Sequence, residues 1–262
     1  MHSWFADPLT LCSIWVNANF TLLVIVFAVC ICINFNFNIF IVGVIYLTPL
    51  TPLGLTEANA PHFLMVSFQN MVFGSIELII FAITVKKHDI KFNKDYIKQL
   101  LGHTLPIAIA LMGLSFLGRA STSPMNFSEV LYIASIFLAG SILRVLAVCQ
   151  IGVTAFKFDI VFREKQRLKT SQLYRIVRHP SYLAMMIVIF SYAINAHNML
   201  VGGFALIIGW FGFQYRIVFE ERALEARFGE DYRHYKMVTG MWFPKFCSRI
   251  ATDGEGREGG KL

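Results

Sequence analysis

The stretch CSIWVNANFTLLVIVFAVCICI, residues 12–33, runs for twenty-two positions without a charged side chain. A helix needs roughly 20 apolar residues to cross a bilayer's hydrocarbon core, so this stretch reads as a membrane span that carries Asn17 and Asn19 within it. Six further apolar runs follow, at 38–53, 63–85, 103–118, 129–152, 181–195 and 199–219. The polar break at 34–38 suggests that the first two runs form a hairpin, and Pro49, Pro52 and Gly54 end the second. Composition agrees with this reading. Of 262 residues, 56% are hydrophobic and only 15% charged, against roughly 25% charged in soluble domains, and the mean hydropathy is +0.60. An ordinary cytosolic enzyme, a disordered chain and a secreted disulfide scaffold are thereby excluded. The expected fold is all-α, a polytopic transmembrane helix bundle of about seven spans, within a range of five to eight.

Charge orients the bundle. The net charge of +7 is too small and too scattered to suggest nucleic acid. The 86–102 loop holds Lys86, Lys87, Lys91, Lys94 and Lys98, the 153–180 loop is rich in Arg and Lys, and so is everything after Phe219. The 54–62 and 196–198 turns have no Lys or Arg, and the 119–128 loop has only Arg119. Positive residues favour the cytoplasmic side, so the N-terminus is expected outside and the C-terminus in the cytoplasm. The five cysteines lie in apolar runs or the basic tail and form no disulfide or metal pattern. No basic n-region precedes the first span, so no removable signal peptide is expected. Three regions follow: N-terminal spans over 1–128, a functional core over 129–247, and a polar, glycine-rich tail over 248–262 read as disordered.

Polar residues that could carry chemistry gather on the basic face. Arg178-His179-Pro180-Ser181-Tyr182 stands where a basic loop meets the sixth run. Pro180 suits a first helical turn and turns His179 away from helix, which leaves Arg178 and His179 at a positive helix N-terminus able to hold an anion. An interfacial Arg–His pair reaching lipid headgroups explains the same residues without chemistry. Arg216 and Glu220 share a helix face at the end of the last run, with Glu221 beside them. Beyond them Leu224, Phe228, Tyr232 and Tyr235 recur at helical spacing, and Gly229 marks a break. Glu77, Arg144, Gln150 and Gln214 lie in or near apolar runs, where polar groups are functional candidates, and Glu77 could face Arg144 across the bundle. His62, His88, His103, His197 and His234 show no ligand spacing and read as structural or exposed.

The run LKTSQLYRIVRHPSYLAMM at 168–186, followed by the last span and FEERALEARFGEDYRHYK at 219–236, resembles the isoprenylcysteine carboxyl methyltransferase family, over roughly residues 129–244. The combination of R-H-P-x-Y with E-E-x-x-L-x-x-x-F-G-x-x-Y-x-x-Y carries the resemblance. It implies an integral membrane enzyme that uses S-adenosylmethionine, with no metal, and O-methylates the C-terminal carboxylate of a prenylated cysteine reached from the bilayer. It further implies that Leu168, Tyr174, His179, Pro180, Tyr182, Glu220 and Glu221 border the cofactor, and that Arg178 and Arg216 stand near the acceptor carboxylate as catalytic residues. The site would face the cytoplasm, from the endoplasmic reticulum in a eukaryote or the inner membrane in a prokaryote. Gln166, Gln172 and Ala184 depart from the family pattern; at Gln172 and Ala184 many relatives have glycine. Three alternatives stay open: methylation of another lipid or of a small thiol or amine, a sterol-reductase-like enzyme using NADPH, and a family member without activity.

Overall fold

The computed structural model describes residues 7–85, 93–152 and 168–245. The loop lysines 86, 87 and 91, residues 153–167 with Gln166, and the tail expected to be disordered lie outside the described residues. The apolar runs are helices. In chain order they are α1 (Pro8–Ile33), α2 (Phe37–Leu50), α3 (Ala60–Thr84), α4 (Lys94–Gln99), a π-helical turn (Leu100–Thr104), α5 (Leu105–Ala120), α6 (Phe127–Ile151), α7 (Leu173–Ile176), α8 (Pro180–Asn195), α9 (Met199–Phe228) and α10 (Glu230–Val238). The described residues contain no β-strand, only an isolated bridge between Val177 and Gly240.

Five helical stretches are long and apolar enough to cross a membrane: α1, α3, the continuous rod of 94–120, α6 and α9. α2 and α8, with 14 and 16 residues, are apolar but shorter; at 1.5 Å per residue they reach about 21 and 24 Å. Local sequence explains the ends. Asn36 caps α2, its Oδ1 accepting from the Ile39 N–H at 3.0 Å, which makes the 34–36 break a true hairpin turn. Pro180 is the first residue of α8. α9 runs nine residues beyond the apolar stretch that predicts it, because Arg, Glu, Ala and Leu are strong helix formers, and it stops at Gly229 with φ +52.

α3 packs against α1 and α2, α6 lies along α8, and α9 lies against α5 and α8. The N-terminal spans and the C-terminal core thus form one bundle. A Cβ at Gly140 would come within 2.9 Å of Val188 and 3.0 Å of the Ala184 carbonyl, so the small residue at the α6–α8 crossing is Gly140, opposite the position where relatives carry glycine. Polar side chains join the helices inside. Asn70 Oδ1 accepts from Tyr192 at 2.7 Å and Ser115 at 3.2 Å, and Asn19 donates to Ser67 at 2.9 Å. Such hydrogen bonds hold helices together where lipid removes the hydrophobic drive between them. The outward faces of α1 and α9 expose Trp15, Leu22, Ile25, Phe204 and Phe211, as a lipid-facing surface requires.

Candidate active site

Four segments build the site: 172–179 with the start of α8, the α9 stretch 213–221, the π-helical turn, and the strand-like tail at 239–243. The tail runs beside the R-H-P segment. The Arg178 N–H donates to the Gly240 carbonyl at 2.8 Å and the His179 N–H to the Met241 carbonyl at 3.3 Å. Trp242 then donates from Nε1 to Gln214 Oε1 at 3.2 Å, which presses the tail onto α9.

At the heart of this closure, Arg178 donates from Nε to Glu221 Oε1 at 2.9 Å and from Nη1 to the carbonyls of Thr239 and Lys236, the latter at 3.3 Å. His179 Nε2 lies 3.2 Å from the same Oε1. Both contacts fall on one oxygen of Glu221 and leave Oε2 unused by them. Glu220 points to a neighbouring face, where its Oε2 accepts from the Tyr182 hydroxyl at 2.9 Å. The Tyr182 ring stacks on His179 with centroids 5.7 Å apart and tilts against Phe213 at 5.6 Å. Tyr174 is buried and donates to the Ala147 carbonyl at 3.2 Å, while its own carbonyl accepts from Tyr235. Burial holds the phenols of Tyr174, Tyr232 and Tyr235 above the ordinary tyrosine value, so all three stay protonated donors at neutral pH. Leu168 is half-buried in the short described stretch before α7.

Tyr182 also lines a cavity. Its walls are apolar, with Val42, Ile45, Ile107, Leu111 and Met185 among them, and its polar groups include Arg216, His103, Tyr182 and the Glu77–Arg144 pair. Arg216 is 4% exposed and donates from Nη1 to Gln99 Oε1 at 3.2 Å. Arg144 grips Glu77 through two bonds, Nε–Oε1 at 2.7 Å and Nη2–Oε2 at 3.0 Å, and also reaches Ser181.

The residues singled out in the sequence thus fall into two groups. His179, Tyr182, Glu220 and Glu221 come together with Arg178 beneath the tail, whereas Arg216 belongs to the cavity. Arg178 does not line that cavity; its donors go to Glu221 and the tail. His103, read from sequence as structural or exposed, is brought to the cavity by the π turn. Its Nδ1 lies 3.1 Å from the Gly212 carbonyl and its ring packs on Tyr182 and Phe213. Nothing in the spacing of the histidines carries that placement, and the sequence, which marks Gln214 as a candidate, gives no sign that Trp242 is its partner. Gln150 anchors the loop, its Oε1 accepting from the Leu173 N–H at 3.0 Å. Gln172 adopts φ +61, ψ −128, a region open essentially to glycine alone, which accounts physically for the glycine many relatives have there.

Chemically, the arrangement offers two carboxylates and aromatic faces around Tyr182, suited to a cation, and a buried guanidinium lining an apolar cavity that Tyr182 also lines, suited to the anionic end of a lipid. Among the described residues, the fully buried Tyr232 hydroxyl has no hydrogen-bond partner. It stands near Glu221 and Arg178, where a polar ligand would satisfy it. No cluster of three or more metal-ligating side chains occurs among the described residues.

Comparison with known proteins finds relatives of this arrangement. Residues 132–226 match the isoprenylcysteine carboxyl methyltransferase (ICMT) family. Over 114 residues the chain is 31% identical to a probable protein-S-isoprenylcysteine O-methyltransferase of Oryza sativa, covering 40% of this chain and 57% of that protein. Over 79 residues it is 35% identical to methanethiol S-methyltransferase 1 of Bradyrhizobium diazoefficiens, covering 30% of this chain and 26% of that protein. The chain therefore spans from about a quarter to just over half the length of these curated relatives. A solved structure of the eukaryotic intramembrane Ras methyltransferase ICMT is similar over 91% of this chain and 98% of that one, with a TM-score of 0.50 and 17% identity, which is a likeness of fold.

Proposed function

We propose, from the match of residues 132–226 to the isoprenylcysteine carboxyl methyltransferase family, that the protein is an integral membrane methyltransferase which O-methylates the C-terminal carboxylate of a prenylated cysteine with S-adenosylmethionine. The observation that carries this reading is Tyr182, whose hydroxyl bonds Glu220 while its side chain lines the apolar cavity that also holds Arg216. Cation-holding and anion-holding groups then meet at one side chain.

When bound, S-adenosylmethionine supplies an electrophilic methyl group on a positively charged sulfur. Glu220 and Glu221, with the faces of His179 and Tyr182, hold positive charge on their side of the site. Leu168, Tyr174 and Pro180 complete the wall of that cleft. Arg216 binds the acceptor carboxylate and aims its oxygen, since a guanidinium is always charged and can engage both oxygens. A carboxylate is ionised at neutral pH, so no side chain has to remove a proton. The opposed charges cancel as product forms, and the burial of Arg216 and the tail over Glu221 keep water from opposing that change. Arg178 is a positioning residue here: it fixes Glu221 and pins the tail. Residues 129–247 form the methyltransferase core and 1–128 supply the remaining cavity walls.

In this reading all seven apolar helices span the bilayer, the N-terminus lies outside, and the site faces the cytoplasm. The membrane is the endoplasmic reticulum in a eukaryotic cell and the inner membrane in a prokaryotic one. The relative that acts on methanethiol supports a second reading, a small thiol as acceptor; the apolar cavity behind Arg216 favours the lipid.

The test is calorimetric titration of the detergent-purified protein with S-adenosylhomocysteine and with NADPH, followed by methyl transfer to N-acetyl-S-farnesyl-cysteine and to methanethiol. Saturable S-adenosylhomocysteine binding that weakens at least tenfold in Glu221→Gln, with transfer to the farnesyl compound, is expected. Binding of NADPH alone, or transfer only to methanethiol, overturns the proposal.

A further inference from the structure

We propose that Gln99 is a positioning residue for the methyl acceptor's carboxylate, holding the Arg216 guanidinium in place through a neutral oxygen that leaves its charge available. The inference rests on the reading that Arg216 receives that carboxylate. Gln99 lies outside residues 132–226, so the role falls to the N-terminal half of the chain.

The observation is a chain of hydrogen bonds across three helices. Arg216 Nη1 donates to Gln99 Oε1 at 3.2 Å, and the guanidinium also donates to the Tyr182 hydroxyl oxygen. The same hydroxyl donates to Glu220 Oε2 at 2.9 Å. Arg216, on α9, is thus tied both to the rod of 94–120 and to α8. Arginine loses much rotamer freedom when it is fixed, and a ligand that must first order it binds more weakly. Fixed partners at Gln99 and Tyr182 order the guanidinium before the carboxylate arrives.

The backbone around Gln99 keeps its reach to Arg216 constant. Gln99 ends α4, and the π-helical turn that follows packs on α9 at close range. A Cβ on Gly102 would stand 2.5 Å from the Tyr215 ring, and one on Gly212 would stand 3.1 Å from the His103 carbonyl. His103 Nδ1 lies 3.1 Å from the Gly212 carbonyl. Gly212, Tyr215 and Arg216 are neighbours on one face of α9. Contacts three and four residues after Gln99 therefore set its height against Arg216. Single π turns are found mostly at functional sites. The residue type matters as well. An amide oxygen accepts from a guanidinium without cancelling its charge, whereas a carboxylate in that place would compete with the carboxylate of the methyl acceptor.

The experiment uses detergent-purified protein saturated with S-adenosylhomocysteine. Calorimetry gives Kd for N-acetyl-S-farnesyl-cysteine and for its methyl ester, which keeps the lipid but lacks the negative charge. The ester affinity of each variant reports whether its cavity is intact. We expect the native protein to bind the acid more tightly than the ester. Gln99→Met, which keeps the length and loses the oxygen, should weaken the acid about fivefold, the scale of one hydrogen bond, and leave the ester within about twofold. Gln99→Glu, nearly identical in shape, should weaken the acid roughly tenfold or more, because it sets a negative charge beside the guanidinium, and should again spare the ester. Equal losses for acid and ester in Gln99→Met, the result of a merely structural tie between α4 and α9, overturn the proposal. An unchanged acid affinity in either variant overturns it too. A native protein that does not prefer the acid, or binds neither compound, overturns the reading of Arg216 on which the proposal rests, before any variant is compared.

Discussion

Replacing Glu77 tests whether the buried ion pair holds the bundle together. The two side chains are each 4% exposed and joined by two hydrogen bonds of 2.7 and 3.0 Å. Glu77→Leu leaves the Arg144 guanidinium inside the bundle without its counter-ion, although its bond to Ser181 persists. Breaking a buried pair by removing one member costs about 3–5 kcal/mol, well above the roughly 0.6 kcal/mol average of neutral interhelical hydrogen bonds in membranes. Arg144→Met should cost a similar amount by stranding the carboxylate. The double variant Glu77→Leu/Arg144→Met should cost less than the sum, because two apolar side chains leave no orphaned charge. Reversible unfolding by SDS titration in mixed micelles, followed by far-UV circular dichroism, gives all three values. A coupling energy of at least 2 kcal/mol is expected from the cycle. Additive costs, or a loss below 1 kcal/mol in Glu77→Leu, would refute the reasoning and make the pair an ornament of the cavity wall.

Three further outcomes follow from geometry. Gln172→Gly should raise stability by about 1 kcal/mol in the same titration, since it relieves a positive-φ conformation worth roughly 1–3 kcal/mol against about 0.5–1 kcal/mol of glycine entropy; Gln172→Ala, which keeps the Cβ, should not. Gly240→Ala places a Cβ against the Phe243 carbonyl, so the tail should lose its seat on the R-H-P segment and become cleavable by trypsin near Lys245 while the bundle stays folded. Burial raises the Tyr235 phenol, so the unfolded chain gives up that proton first and stability should fall as pH rises above about 10; in Tyr235→Phe the alkaline loss should be smaller, as read from thermal melts between pH 8 and 11.

The apolar runs were legible because burial in lipid demands them, and each reappears as a helix. The motif at 178–182 and the pair Glu220–Glu221 were legible because their side chains meet across only two neighbouring helices. What escaped the sequence depends on longer reach. His103 gains its position from one inserted residue's worth of helical unwinding, a change no hydrophobic period records. Trp242 finds Gln214 only because the chain reverses at Gly229 and returns. Arg178 looked like an anion ligand at a helix start, and its ties to Glu221, Lys236 and Thr239 could be seen only once the tail had been placed. The strained Gln172 carried a readable signal, the glycine many relatives have there.

The tail's docking has a consequence for biosynthesis. Arg178 leaves the ribosome 43 residues before Glu221, 58 before Lys236 and 61 before Thr239, the groups that receive its hydrogen bonds. Until then that guanidinium must be satisfied by lipid headgroups or water. It exchanges them for protein partners only after α9 has been made and the chain has turned back at Gly229. The closure of the tail over Arg178 and Glu221 therefore comes late, and a nascent chain stopped at Phe228 would contain every long apolar helix among the described residues yet lack that closure.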